Sequence, residues 1–167
     1  MSPPMTENRN PQTPDESASE ITEFMMPGQV NNLGHVFGGV VLSMVDHAAA
    51  ITAMRHARQP CVTVSISQVD FKEPIYSGEV VTCMARVHYV GRTSMGIGIR
   101  VIAENPITGH RRETNDCYMT FVAIDEDSRP APVPGLKLVT DEDKERFEDG
   151  RLRRKSREAL EQELAND

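Results

Sequence analysis

Between Val40 and Met54 the chain reads VVLSMVDHAAAITAM, apolar on every side of a helical wheel except at Ser43, Asp46, His47 and Thr52. A helix apolar all round belongs in an interior, so a buried central helix is predicted. Period-two alternation follows: in Cys61 to Ser67, Val62, Val64 and Ile66 alternate with Thr63, Ser65 and Ser67. The phase then slips so that Val69 and Phe71 point the other way, and a bulge near Gln68 accounts for the slip. Strands are also predicted from Glu79 to Val90, from Ser94 to Ala103 with Met95, Ile97, Ile99 and Val101 on one face, and from Arg112 to Ile124. The connections VGRT and NPITG carry turn residues at hairpin length, so sequential strands should pair antiparallel. A short strand at Ile21 to Met25 comes first, and MPGQVNNLGHVFGG is a loop leading into the helix. The pattern is an α+β plan in which an antiparallel sheet wraps one long helix.

The ends of the chain differ from this middle. Residues 1–18 are rich in Pro, Ser, Asn and acids with almost nothing to bury, and read as a disordered tail. Beyond Ile124, DEDSRPAPVPG is a linker that can be neither helix nor central strand. Thr140 and Asp143 then form a capping pair for a charged helix running to about Leu164. Its apolar positions, Phe147, Leu152, Leu160 and Leu164, are too sparse for a core helix, and Gly150 interrupts it, so a solvated arm lying on its own domain or on a neighbour, without chemistry, is expected. At 167 residues there is room for one domain with tails: residues 1–18 as tail, 19–136 as the domain, 137–167 as a helical extension.

Composition narrows the class. Hydrophobic residues make up 38% and charged residues 26%, and the longest apolar run has Asp46 and His47 at its centre, so no membrane span is expected. The N-terminal residues lack the basic start and apolar stretch of a secretion signal, which leaves a cytoplasmic location as the expectation. Cys61, Cys83 and Cys117 lie far apart in strands and read as reduced, packed thiols. The net charge of −7 repels nucleic acid and anionic membranes. His56, His88 and His110 show no metal-ligand spacing, and no metal is expected.

Asp46 carries the chemical signal, because a carboxylate within an apolar helix loses hydration at a cost of several kcal/mol unless something compensates. It either performs chemistry or answers a structural need, as a loop cap or the partner of a buried base. Gly38 and Gly39 open the helix with unobstructed N–H groups at its positive end, where a carbonyl oxygen gaining negative charge can be held. Asn31 sits in the loop just before.

Taken together, NNLGHVFGGVVLSMVD, from Asn31 to Asp46, resembles the Asn, Gly, Phe or His, Gly-Gly and downstream Asp signature of the hotdog-fold acyl-CoA thioesterases, the bacterial cytosolic and brain-type acyl-CoA hydrolases. Similarity extends through VTVSISQVDFKEPIYSGEVV, the VGRTSM hairpin and TFVAIDEDSRPAPVPGL, roughly Phe24 to Leu136. This chain departs from the pattern at Leu33, where Asn or Ala is common, and at His35, where an acid or Asn often sits. The resemblance implies a hotdog fold and hydrolysis of fatty acyl-CoA, with Asp46 as general base or nucleophile, Asn31 positioning the reacting group and the Gly39 N–H polarising the carbonyl. Gly38, Phe37 and His35 would line the substrate. It implies a site shared across a symmetric dimer, with assembly to trimers of dimers, and no cofactor beyond the CoA of the substrate. Geometry agrees that sharing is needed, since Asp46 lies seven residues beyond Gly39, roughly 10 Å along a helix.

Coenzyme A brings phosphates, so cations and N–H donors are expected near its entry. The hairpin Gly91, Arg92, Thr93, Ser94 matches the family's nucleotide-side turn, with Arg111 assisting and Arg112 and Arg86 as further candidates. Two rival readings remain: a hotdog dehydratase or hydratase of 3-hydroxyacyl thioesters, which would look to a His paired with an acid, and a noncatalytic acyl-CoA sensor. DNA-binding sensors of this fold need an added basic helix-turn-helix, which the segment ahead of Ile21 does not resemble.

Overall fold

The structure, a computed structural model, describes residues 10–166. Five strands, β1 (Ser19–Phe24), β2 (Cys61–Phe71), β3 (Val80–Val90), β4 (Ser94–Glu104) and β5 (Arg111–Ala123), form one sheet in the order β1-β3-β4-β5-β2, antiparallel throughout. The long helix α2 (Gly38–Ala57) lies across one face; a single turn, α1 (Pro14–Ser17), precedes β1, and α3 (Asp141–Ala165) ends the chain. The expected plan of an antiparallel sheet around one central helix, with a charged C-terminal helix, is the one adopted.

Small side chains let α2 approach the sheet closely. Val41, Met44, Val45, Ala48, Ala49 and Ala53 pack with Val81, Cys83, Ile97, Met119 and Phe121 in one continuous core. Each buried Val, Ile, Met or Phe there stabilises the fold by about 1.5–3 kcal/mol. The helix ends where Arg58 turns left-handed (φ 54°) and its N–H donates to the Met54 carbonyl at 2.8 Å. The opposite face of α2 is not interior in a single chain: Ser43 and His47 are exposed, and Met54 is 43% exposed. An all-round apolar wheel thus marks a helix with one side in the core and another left uncovered by its own chain.

The register of β2 breaks twice. One shift falls between Ile66 and Gln68, where the slip was expected, and a second falls between Thr63 and Ser65. Directly opposed residues share a face, so Thr63, opposite Phe121, looks toward α2, whereas Ser65, opposite Thr120, looks away. The second bulge was hidden because Val62, Val64 and Ile66 keep an unbroken polar alternation through it.

One expectation about the ends needs correction. Residues 1–9 of the expected tail lie outside the described residues, but 10–18 are built into the domain. Thr13 and Glu16 form a reciprocal capping box on α1, Gln12 exchanges backbone bonds with Gly135 (3.1 Å) and Lys137 (2.7 Å), and its Nε2 donates to the His56 carbonyl at 3.0 Å. Apolar content alone misses such backbone pairing. The helix α3 lies on its own domain, one of the two placements expected for it. Asp143, 3% exposed, caps it and receives Arg86 at 2.9 Å, Phe147 packs on Tyr89 with ring centroids 5.0 Å apart, and Gly150 is buried. A Cβ at Gly150 would stand 2.5 Å from that of Tyr89. This glycine is a docking surface for the sheet, not an interruption.

His88, on β3 beneath α3, rests its ring over Gly98, where any Cβ would collide with it. Burial, aided by Arg146, Arg86 and Arg153, pushes its imidazole down to about 4. The unfolded chain takes up this proton near pH 6.5. Between those values the unfolded state binds more protons, so the stability His88 confers is complete above about pH 6.5 and declines toward pH 4. His88→Gln should flatten that part of the stability-versus-pH curve, as read from urea midpoints at pH 4.5 to 7.5; an unchanged slope would show that other groups set it.

Candidate functional site

The loop before α2 is fixed by its own backbone. A 3-10 turn at Pro27–Gln29 leads to Asn31, whose N–H donates to the His35 carbonyl at 2.7 Å. The Asn31 Oδ1 accepts from the N–H groups of Leu33 (2.9 Å) and His35 (3.1 Å). With its oxygen engaged, the Asn31 side chain has its two Nδ2 donors left to give. Gly34 holds the left-handed turn at φ 78°.

His35 was expected either to touch substrate or to sit on a surface loop; it is a half-buried strut. It bridges to Tyr76, with ring centroids 5.3 Å apart and edge to face. Arg112, 16% exposed, stands 5.7 Å over the same Tyr76 ring, donates to both carboxylate oxygens of Glu79 (2.9 Å to Oε2) and reaches Glu73 at 3.0 Å. That guanidinium holds the Glu79 carboxyl below the usual carboxylate range, while Glu79 in turn raises Arg112. The expectation that Arg112 assists with phosphates is therefore corrected, since its donors are committed to bracing this loop. Arg86 is likewise committed, to Asp143 and to Asp15 at 3.1 Å.

Phe37 is the N-cap of α2 and supplies no side-chain capping bond; its carbonyl accepts from the N–H of Val40 at 3.0 Å, so Gly38 and Gly39 are the helix-start residues whose N–H groups receive no oxygen from Phe37. Above Gly39 no atom lies within 4 Å of where a Cβ would stand, whereas at Gly38 the Phe71 ring would be 3.2 Å away. One glycine opens space for a ligand and the other lets an aromatic wall close on the helix start. Phe37 and Phe71 are 52% and 56% exposed.

Asp46 was expected to be sequestered; in one chain it is half-buried, and its Oδ1 accepts from the Thr63 hydroxyl at 2.8 Å. Thr63 is the partner that sequence reasoning missed, because only the hidden bulge turns it toward the helix. His47, expected in a core or interface, is exposed here. Burial pushes Cys61 and Cys117 up to about 11 and Cys83 up to about 12, so these thiols stay protonated and are poor nucleophiles.

One chain places these residues at two ends. Ser94 pairs with Val122, which pairs with Val62, so the hairpin Gly91–Ser94 shares an end of the sheet with Thr63 and Asp46. Asn31, Gly38 and Phe71 belong to the other end, as does Arg111, which pairs with Glu104 at 3.6 Å. The hairpin and Arg111 are separated by the length of β4, about 35 Å, so a single chain does not join them into one cationic patch.

Between these ends runs an edge strand. Val62, Val64 and Ile66 of β2 are 43%, 53% and 46% exposed on an edge with no neighbour beyond it. The model of the thioesterase superfamily matches residues 33–110. A Bacillus subtilis protein named as an acyl-CoA thioester hydrolase is 38% identical over 128 residues, 77% of this chain and 74% of its own length. The chain belongs to the thioesterase superfamily. A hexameric acyl-CoA thioesterase superposes with a TM-score of 0.87 at 37% identity, covering 90% of this chain and 97% of that one. A Staphylococcus aureus acyl-CoA hydrolase, solved with butyryl-CoA, CoA and CoA disulfide, gives 0.85 at 30% identity over 93% and 94% of the two chains. Alanine variants of that enzyme have been solved at an Asn, an Asp and a Thr whose successive spacings, 15 and 17 residues, are those of Asn31, Asp46 and Thr63 in this thioesterase chain.

Cutting the brace behind the loop has a defined cost. Arg112→Met leaves the Glu79 carboxylate buried without its partner and should destabilise the fold by about 2–4 kcal/mol. Adding Glu79→Gln should recover much of that, as urea melts of the single and double variants will show.

Proposed function

We propose that this chain hydrolyses fatty acyl-CoA thioesters to free fatty acid and CoA, at sites shared by two copies of itself. One observation carries the reading. Asp46 is held by Thr63 near the start of an uncovered edge strand, while the uncapped helix start and Asn31 stand near its end. Antiparallel pairing of β2 with β2 of a second copy, about a two-fold axis near the middle of the strand, would set the start of one against the end of the other. Each dimer then has two equivalent sites, each with Asp46 from one chain and Gly39 with Asn31 from the other. The apolar edge residues favour such pairing. Similarity to hexameric relatives supports further assembly as a trimer of dimers.

The chemistry follows from the groups assembled. The thioester carbonyl oxygen accepts from the Gly39 N–H at the positive end of α2, and the Asn31 Nδ2 orients the reacting carbonyl or water. Asp46, oriented by Thr63, takes a proton from water as it attacks the carbonyl carbon. When the tetrahedral adduct collapses, the C–S bond breaks and the proton returns to the leaving CoA sulfur. The net reaction consumes one water and needs no metal or cofactor. Direct attack by the Asp46 carboxylate, with water cleaving the resulting anhydride, uses the same placement. No helix among the described residues is long and apolar enough to cross a membrane, and we place the reaction in the cytosol, where unpaired thiols such as Cys61 persist.

Thiol release from a panel of acyl-CoAs tests the activity; binding without turnover would instead favour a sensor. Asp46→Asn should lower turnover by about 100-fold to 10,000-fold with folding intact. Thr63→Val, which keeps the shape and removes the donor, should cost about 10-fold to 100-fold, the worth of a hydrogen bond to a charged group. Sharing of the site has its own test. Mixing Asn31→Ala with Asp46→Asn chains should restore activity, because one of the two sites in a heterodimer is then complete, and no rescue in verified heterodimers would rule sharing out.

A further inference from the structure

Asn115, on β5, is 1% exposed, and neither its Oδ1 nor its Nδ2 has a hydrogen-bond partner. Elsewhere in the interior the hydroxyls of Ser19 and Thr52 answer each other at 2.7 Å. A side-chain amide carries two donors and an acceptor oxygen, and burying it unpaired is unfavourable, so an orphan of this kind calls for an explanation.

Register sets its surroundings. Directly opposed residues share a face, and Asn115 stands opposite Phe71 of β2 and Val101 of β4, neither of which offers its side chain a hydrogen bond. Side chains alternate along a strand, so Asn115 also shares its face with Cys117, Met119 and Phe121, which pack in the core beneath α2. It therefore looks toward α2, at the end where that helix begins: the Phe71 ring reaches to 3.2 Å from where a Gly38 Cβ would stand. Because β5 is the neighbour of the edge strand, Phe71 lies between Asn115 and the border of the sheet, and Phe71 is itself half in water. The open space above Gly39 and the orphan amide thus flank one aromatic ring.

We propose that Asn115 is a specificity-determining residue that hydrogen-bonds a hydroxyl on the acyl chain, so that hydroxyacyl-CoAs are the preferred substrates. The inference rests on the thioesterase reading and narrows its substrate class. With the carbonyl held at the Gly39 N–H, the acyl chain runs along the Phe71 ring to the amide. A hydroxyl donates to Oδ1 and accepts from Nδ2, matching both halves of the group. An unsubstituted methylene leaves both halves unpaired. A carboxylate at the chain end offers acceptors alone and would bring a charge among Phe71 and Val101. A site whose buried polar group is completed by a substrate hydroxyl discriminates against the analogue that lacks it.

The test measures thiol release by the full-length protein from pairs of acyl-CoAs of equal chain length, 3-hydroxybutyryl against butyryl and 6-hydroxyhexanoyl against hexanoyl. In at least one pair the wild type should show a kcat/KM about tenfold higher for the hydroxylated member, the worth of pairing a buried amide. Asn115→Leu, similar in volume but without the amide, should bring that ratio to about one. Because it removes an unpaired polar group, it should also melt no lower than the wild type. Equal kcat/KM within both pairs for the wild type overturns the inference before any variant is made, and shows that something other than substrate, such as a bound water, answers the amide. A variant that slows both members of a pair alike, or that melts well below the wild type, shows a structural role and overturns it too. No thiol release from any acyl-CoA would sink the thioesterase reading itself and this inference with it, whereas release without preference sinks this inference alone.

Discussion

The constraint on which the rest depends is the edge of β2. Eleven residues run along the border of the sheet with no neighbouring strand on one side among the described residues, and with Val62, Val64 and Ile66 half in water. An edge this long and apolar is a template for another strand. Pairing it with its own copy removes the exposed edge and covers the side chains. Because the two-fold reverses direction, it also brings opposite ends of the strand together. The thioesterase chemistry we propose follows from that reversal, since Asp46 belongs to one end and the helix start to the other.

Asp46 is tolerated in an apolar helix for a related reason. In one chain it is half-buried and bonded to Thr63, so little hydration is lost while the chain folds. In the dimer we propose, desolvation would accompany assembly, when the gain from covering the edge strands offsets it. A carboxylate that dries only there would act next to the carbonyl it helps to cleave, where electrostatic interactions are strongest. On that proposal folding and catalysis place separate demands on one residue, met at separate stages.

The elements of the fold were readable because their periods are strong: the Val40–Met54 wheel, the alternation in β4 and the hairpin lengths each matched an observed element to within a few residues. Asp46 stood out because an acid within an apolar helix conflicts with packing alone, whereas Gly38, Gly39 and Asn31 were singled out through the resemblance of Asn31 to Asp46 to the thioesterase signature. Thr63 was not readable, since a bulge that leaves polar alternation intact gives no signal in one sequence. Arg112 and Arg86 looked like free cations because their partners, Glu79 and Asp143, lie 33 and 57 residues away. The ordering of residues 10–18 was missed for the same reason, as Gln12 is held by Gly135 and Lys137 across the fold.

Net charge leaves local recognition open. A total of −7 describes long-range behaviour, which at physiological ionic strength fades within about 8 Å, whereas recognition of an anion is decided by the few groups in contact with it. The charged C-terminal helix reads from sequence as a solvated arm because its apolar positions are sparse. On the sheet its charges are sorted: Arg153 lies over the Tyr118 ring and Arg157 reaches the Ser65 hydroxyl, while Glu158 and Glu161 pair with Arg154 and Arg157. The glycine that seemed to break the helix, Gly150, is what lets it come close enough for that sorting to occur. A helix with few apolar residues can therefore dock through a buried cap, one ring contact and a glycine that admits the sheet, none of which a count of its apolar positions registers.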